Sequence, residues 1–294
     1  MAARDPTFSK FSVAEGKAYA ENRGIQYPPA VFEEILRYHD GGTGLAVDVG
    51  CGPGNVTRDL ARYFDKVIGL DNSSGMIEAA QAILADEKNG NIAFDIWAAE
   101  SLDKYAGLEA DSVDVITCAV SIHWFDLPAF YRAAAKVLKP GGSIAAWVSA
   151  PAKAASSCPH ATEINAVFSE LNTALKPFKM PANVLADGQY EDLPLPWTIE
   201  PPNCDFESSS FKRVVFCEEN GNALLKSYPL KLDRLEQGML SASPYIRWRE
   251  ANPDLAGTNQ DISKLHVQKM RDVLGGVEVI DMEVQLVLIM MKKK

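Results

Sequence analysis

Three glycines at alternate positions, Gly50, Gly52 and Gly54, follow directly on the run Leu45-Ala46-Val47-Asp48-Val49. The run has the apolar, β-branched character of a strand buried on both faces, as in a parallel sheet. Glycines so spaced let the chain turn sharply and bring bare backbone against a ligand. Asn55 to Tyr63 continues with helical spacing. Strand, glycine turn and helix N-terminus together predict a nucleotide-type binding corner.

The rhythm that follows extends this corner into a sheet. A second strand, Lys66 to Leu70, ends at Asp71, 21 positions after Gly50. At that distance an acid on the tip of the second strand meets ribose hydroxyls. Ser73 or Ser74 caps a helix over Gly75 to Ala85. Further strands are expected at Ile92 to Ala98, Ser112 to Ala119 and Ile144 to Val148. A helix from Leu127 to Leu138 separates the last two and is stopped by Lys139-Pro140-Gly141-Gly142. Such alternation predicts a doubly wound, Rossmann-like α/β fold.

Upstream, Val13 to Asn22 reads as a short helix ending at Arg23-Gly24, and Pro28-Pro29 opens a second one through His39. Phe8 and Phe11 stand in a polar setting and need something to cover, either as outer packing or as a lid. After Pro151 the alternation fails and prolines interrupt the chain to about residue 210. Within and beyond that stretch the pattern gives helices at Thr162 to Leu175, Asp233 to Leu240 and Ile262 to Leu274, and strands at Phe211 to Cys217 and Met282 to Met291. The expected organisation is an N-terminal lid at 1–44, a cofactor-binding core at 45–150, and a substrate cap at 151–260 containing one core strand near 211–217. Residues 261–294 supply a last helix and strand that complete the core.

Composition removes several function classes. A hydrophobic content of 47% over 294 residues supports a sizeable core rather than disorder. The net charge of −10 argues against nonspecific binding to nucleic acid or to an anionic membrane. The apolar run Val284 to Met291 is too short to span a bilayer, and the N-terminus lacks the apolar stretch of a secretory signal. The 5 cysteines contain no CxxC pair, which predicts a reducing, cytoplasmic setting. His39, His160 and His266 have no metal-ligand spacing, so no metal is expected. The expected partner is a small molecule, and the expected state a monomer or weak dimer.

The details of the turn separate the possible ligands. Nicotinamide enzymes use G-x-G-x-x-G/A, whereas here the third glycine comes one step early; there is also no P-loop lysine. Residues 45 to 148 instead resemble the class I S-adenosylmethionine-dependent methyltransferases. The resemblance rests on Val47-Asp48-Val49-Gly50-Cys51-Gly52-Pro53-Gly54, Asp71, Asn72-Ser73-Ser74-Gly75-Met76-Ile77, Ala98-Ala99-Glu100-Ser101-Leu102, Asp114-Val115-Ile116 and Val137-Leu138-Lys139-Pro140-Gly141-Gly142. With Ala119 to Asp126, Tyr19-Ala20-x-x-Arg23, Tyr27-Pro28 and Leu240 to Trp248, the chain is similar to the trans-aconitate methyltransferase-like group of fungal small-molecule enzymes. That group includes gliotoxin-type dithiol S-methyltransferases.

The resemblance implies a seven-stranded sheet, S-adenosyl-L-methionine as cofactor and a small-molecule methyl acceptor. It implies that Gly50, Cys51, Gly52 and Gly54 line the methionine part, with Cys51 a small filler. Asp71 would take the ribose hydroxyls, Asn72 and Met76 would border the adenosine, and Ala99 and Glu100 would follow the adenine edge. Ala119 would offer its carbonyl to the sulfonium end, and Arg23, joined by Tyr19, would take the cofactor carboxylate. His123 and Trp124 would meet the acceptor, His123 by bonding a carboxylate or drawing a proton from a thiol. Packing is the alternative role for Met76 and for His123. Two acceptors stay open, a carboxylate oxygen and a thiol sulfur. The alternative function is a cofactor-binding regulatory protein without catalysis.

Overall fold

The computed structural model describes residues 7–8, 11–22, 27–85, 90–218, 221–222 and 227–294. Arg23 lies outside the described residues. The first helices are α1 (Val13–Asn22) and α2 (Pro29–His39). The core alternates β1 (Leu45–Val49), α3 (Asn55–Leu60), β2 (Lys66–Asp71), α4 (Ser74–Ala85), β3 (Ile92–Ile96), β4 (Val113–Ala119), α5 (Leu127–Val137) and β5 (Leu138–Ser149). Next come α6 (Ala161–Leu175), α7 (Pro181–Asp187), β6 (Phe206–Phe216), β7 (Tyr228–Lys231), α8 (Leu232–Leu240), α9 (Ser243–Ala251) and α10 (Ile262–Val273). The chain ends in β8 (Val279–Met282) and β9 (Leu286–Lys293).

Seven strands form one sheet in the order β3-β2-β1-β4-β5-β9-β6. β1 to β5 run parallel, and β9 is antiparallel to both of its neighbours. The strand order reverses beside β1, so the crevice at the carboxyl ends of β1 and β4 is the ligand position of open α/β sheets. Both faces are covered. Val47, Ile116 and Ala146 pack with α5, while their neighbours Ala46, Val115 and Trp147 pack with α2 and α3. This double burial explains why the strands read as continuous apolar runs.

Three expected elements differ. The helix-stop segment 139–142 lies inside β5, where the pairing jumps from Val113↔Leu138 to Val115↔Ser143. Pro140 favours extended backbone before it, so the strand starts as soon as α5 ends. The single last strand expected at Met282 to Met291 is two strands: β8 pairs β7 in a separate small sheet, and only β9 enters the large one. β7 contains Pro229, which a strand tolerates only at an edge. Finally, α10 packs with α6 and α8 in a second core that also holds Leu171, Leu235, Trp248 and Ile280. Among the described residues no helix is long and apolar enough to cross a membrane.

Candidate functional site

The glycine corner is held by backbone. The amides of Gly50 and Cys51 both donate to the carbonyl of Leu70, at 2.8 and 3.1 Å, which ties the turn to the end of β2. All three glycines have left-handed φ values, 68°, 53° and 81°. The requirement is doubled at Gly54, where an added Cβ would lie 2.3 Å from the Phe94 ring. An added Cβ on Gly52 would meet nothing within 4 Å. Its left-handed backbone therefore borders open space at the mouth of the crevice.

Asp71 sits across this turn. Its Oδ2 accepts from the Gly52 amide and its Oδ1 from the Ser73 amide, each at 2.9 Å. The carboxylate has acceptor capacity beyond these bonds for a further donor. Burial pushes this carboxyl upward, and the amides of Ser73, Gly52 and Asn72 pull it back. Beneath the turn, Asp48 is fully buried and accepts from Thr57 Oγ1 at 2.7 Å and Thr117 Oγ1 at 2.8 Å. It thus joins β1, α3 and β4. Burial pushes the Asp48 carboxyl up to about 6, against the opposing pull of the two threonine bonds. The Cys51 thiol, buried and beside Asp71 and Asp48, is held well above its ordinary range. It stays a neutral thiol and offers the site backbone only, since the thiolate is the reactive form.

The remaining residues of the expected cofactor edge surround this corner. Asn72 is exposed and Met76 buried at the start of α4. The carbonyl of Asp71 accepts from the Trp97 amide at 2.9 Å. That brings Ala99 and Glu100 next in sequence, in the 3-10 turn Ala99–Lys104. Glu100 also accepts from the Asp126 amide at 3.1 Å, at the entry to α5. Ala119 ends β4, followed by Val120 at a φ of 53°. A β-branched residue in that region is an outlier, and such strain gathers at functional sites. It folds the chain back so that Ser121 Oγ donates to the Val49 carbonyl at 2.7 Å.

A second wall stands beyond β4. Phe8 meets Phe11, Tyr19 and Trp124 edge-on, with ring centroids 5.4, 5.9 and 6.0 Å away. Ser73 Oγ donates to the Phe8 carbonyl at 2.9 Å, so this N-terminal strap runs from the Asp71 loop to Trp124. Tyr19 belongs to the aromatic group of that strap. His123 lies in the 3-10 turn Ile122–Trp124 and is buried, its Nδ1 2.8 Å from Tyr190 Oη. Tyr190 is the residue that sequence reasoning missed. It follows α7 in a turn, and only the neighbouring Gly188 signals even that.

Five basic groups of the cap have protein partners. Lys179 pairs with Asp187, Lys212 with Glu34, Arg213 with Glu191 and Arg249 with Asp261. Arg247 donates to the Phe178 carbonyl and to Asn183. Among the described residues, no group of three or more His, Cys, Asp or Glu side chains could hold a metal ion.

Known proteins are similar to parts of this chain. Residues 46–142 match the family model for a methyltransferase domain. A methyltransferase-named protein of Dictyostelium discoideum is 39% identical over 145 residues, covering 48% of this chain and 51% of that protein. A methyltransferase of Pestalotiopsis fici is 33% identical over 139 residues, 44% of this chain and 40% of its own length. The chain thus spans about half or less of the length of the curated relatives it matches. A solved structure from Anaeromyxobacter dehalogenans, named for a type II methyltransferase, superposes with a TM-score of 0.62 at 22% identity, over 92% of this chain and 97% of that one. Phosphoethanolamine N-methyltransferase 2 of Haemonchus contortus, solved with S-adenosyl-L-methionine, gives a TM-score of 0.53 at 18% identity, over 99% of this chain and 59% of that one. At these identities the structural likeness is one of fold. Sheet order, glycine corner and family match together make residues 46–142 a class I S-adenosylmethionine-dependent methyltransferase domain.

Proposed function

We propose that this chain uses S-adenosyl-L-methionine to methylate a small, largely apolar metabolite at a thiol sulfur. The observation that carries the donor half is the pairing of Gly52 with Asp71. Open space borders the left-handed Gly52 backbone, and Asp71, bonded to that same residue, is a carboxylate with acceptor capacity left for a ligand hydroxyl. The residues fit the cofactor. Gly50, Cys51, Gly52 and Gly54 would hold its methionine part by backbone, with Arg23 and Tyr19 at its carboxylate. Asp71 would hold the ribose, Asn72, Met76, Ala99 and Glu100 the adenosine, and Ala119 would face the sulfonium end. When bound, the cofactor supplies an already activated methyl group, whose transfer forms the acceptor–carbon bond and leaves the electron pair on sulfur. The protein's own task is alignment and exclusion of water, which supplies up to about 7–11 kcal/mol in favourable cases.

The acceptor half rests on the second wall. Phe8, Phe11, Trp124 and Tyr190 offer aromatic surface, while the cap's paired cations are poorly suited to a tricarboxylate. His123 would accept the thiol proton, a modest demand because a thiol titrates near about 8.5. A single carboxylate is the second reading, favoured by the capacity of His123 to donate a hydrogen bond. The free cysteines suit a reducing, cytoplasmic setting. Calorimetry with the methylated and demethylated cofactor tests the donor half: binding no tighter than millimolar overturns it. Labelled cofactor with a reduced epidithiol compound or trans-aconitate tests the acceptor. Turnover of the thiol alone supports the first reading, and turnover of neither removes both. Tight cofactor binding without turnover of any small acceptor would favour a regulatory protein.

A further inference from the structure

We propose that Ser121 is a positioning residue that joins the donor turn, Gly50 to Gly54, to the acceptor turn, Ile122–Trp124, so that a cofactor bound at the first sets the place of the second. This rests on the reading that those two turns meet donor and acceptor. The sheet itself does not hold them together. β1 and β4 pair as far as Asp48↔Thr117, whereas β1 stays paired with β2 to Val49↔Leu70 and β4 with β5 to Ala119↔Trp147. The two central strands thus part before either has ended, and each turn leaves the sheet on its own side of the opening. Ser121 reaches across it. Its Oγ donates to the Val49 carbonyl at 2.7 Å, and its own carbonyl accepts from the Trp124 amide at 2.9 Å. A carbonyl only accepts, so the hydroxyl hydrogen is committed to Val49. One residue therefore holds the end of β1 with its side chain and closes the acceptor turn with its backbone.

The surroundings leave this residue one place. Val120, just before it, stands at a φ of 53°, and its amide donates to the Trp147 carbonyl at 2.8 Å. A β-branched residue in the left-handed region persists only where its surroundings over-determine it. From the other side, a Cβ added to Gly50 would lie 2.5 Å from Ser121 Cβ and 3.4 Å from the Phe125 ring. Glycine at that position is what lets the two turns touch. Ser121 is buried, so water does not compete for its bond. In-line transfer needs the reacting atoms about 3–3.5 Å apart, and a displacement of about 1 Å costs on the order of a hundredfold in rate. A hydroxyl bond and a close contact between the turns fix that separation through the protein, without a bond to either ligand.

Amide hydrogen exchange read by NMR, with and without S-adenosylhomocysteine, tests the joint. In the wild type the demethylated cofactor should slow exchange at Gly50 and Cys51, whose amides bond Leu70, and at Trp124, whose amide bonds Ser121, by at least about tenfold each. In Ser121→Ala the slowing should persist at Gly50 and Cys51 and drop below about threefold at Trp124, with cofactor affinity within about threefold. Ser121→Cys, a weaker donor of nearly the same shape, should fall between the two. With a reduced epidithiol compound as acceptor, kcat of Ser121→Ala should fall at least about tenfold and KM stay within about threefold. A residue that only packs would instead lower the urea midpoint and cofactor affinity together. Wild-type Trp124 exchange untouched by bound S-adenosylhomocysteine overturns the proposal, even if the alanine variant fails to fold. Retained slowing at Trp124, or an unchanged kcat, in Ser121→Ala also overturns it. Absent binding by calorimetry removes the cofactor reading itself, whereas binding with Trp124 unmoved removes the joint alone.

Discussion

Under the proposed function, the donor and acceptor sides of the crevice are built by opposite means. The donor side is backbone: consecutive residues of one turn, Gly50 to Gly54, closed by an acid 19 positions from Gly52. The acceptor side is side chains drawn from the whole length of the chain, with His123 and Tyr190 67 positions apart and Phe8 brought to Trp124 from the N-terminus. Backbone recognition depends on conformation, so it tolerates little change at the glycines and much change elsewhere. Side-chain recognition depends on identity and can be altered without disturbing the sheet. The donor corner should therefore lose stability and cofactor affinity together when changed, whereas changes in the acceptor wall should fall on the acceptor's kinetics and leave cofactor affinity in place.

The largest effect is expected at Gly54. Alanine there must hold a left-handed φ and push against Phe94 at 2.3 Å. Strain and overpacking together should remove about 2–4 kcal/mol of stability, read as a lower urea midpoint. A loss below about 1 kcal/mol would mean that the turn relaxes and that conformation is not what the corner protects. Asp71→Ala comes next. It removes a charged acceptor bonded to Gly52 and Ser73, so cofactor dissociation by calorimetry should weaken by about 1.5–3 kcal/mol. An unchanged affinity would remove Asp71 from the donor site.

The same contrast explains what could be read in advance. The turn, Asp71 and the parallel strands are local patterns, in which apolar runs and glycine spacing encode both conformation and neighbours. The division of residues 279–293 between two sheets was not legible, because Glu283 to Gln285 carries no turn signal and both halves are apolar. β7 was hidden by its four-residue length and Pro229. Tyr190 was hidden for another reason. Its contact with His123 depends on a left-handed turn at Gln189 and Tyr190 that Arg213 and Gln285 hold from distant parts of the chain, and nothing near residue 190 records them. His123 and Trp124 could be singled out because they follow β4 directly, at the carboxyl end of a predicted strand.

Asp48 sharpens the contrast from beneath the donor corner. Its folded-state carboxyl value of about 6 lies above the usual 3.8, with burial as the main cause. A raised acid contributes stability that is fully present below the unfolded value and is lost as pH rises through the folded one. Wild-type stability should therefore fall through this group between about pH 4 and pH 6.5. Asp48→Asn removes the titration but keeps an oxygen for one threonine, and the other hydroxyl can rotate to accept. Unfolding free energies of the two proteins, measured across that range, should shift in favour of the variant by about 1–3 kcal/mol. A constant difference would mean that Asp48 does not titrate there.

The smallest stability effect is expected on the acceptor side, at Phe8. Each edge-on aromatic pair contributes about 0.5–1.5 kcal/mol when well buried, but Phe8, Phe11, Tyr19 and Trp124 are all only half-buried. Phe8→Ala should therefore lower global stability by less than about 1 kcal/mol. Ser73 Oγ would still hold the carbonyl of residue 8, so the strap keeps its path past the Asp71 loop. What the variant loses is the ring against Trp124, and with it part of the water exclusion above the acceptor. The acceptor KM should rise about three- to tenfold, corresponding to about 0.7–1.4 kcal/mol, while cofactor affinity stays within twofold. Outer packing predicts the reverse pattern, a measurable stability loss with KM unchanged. Steady-state kinetics beside a urea titration of the same variant therefore decides whether the first residues of the chain form a lid or only cover the domain.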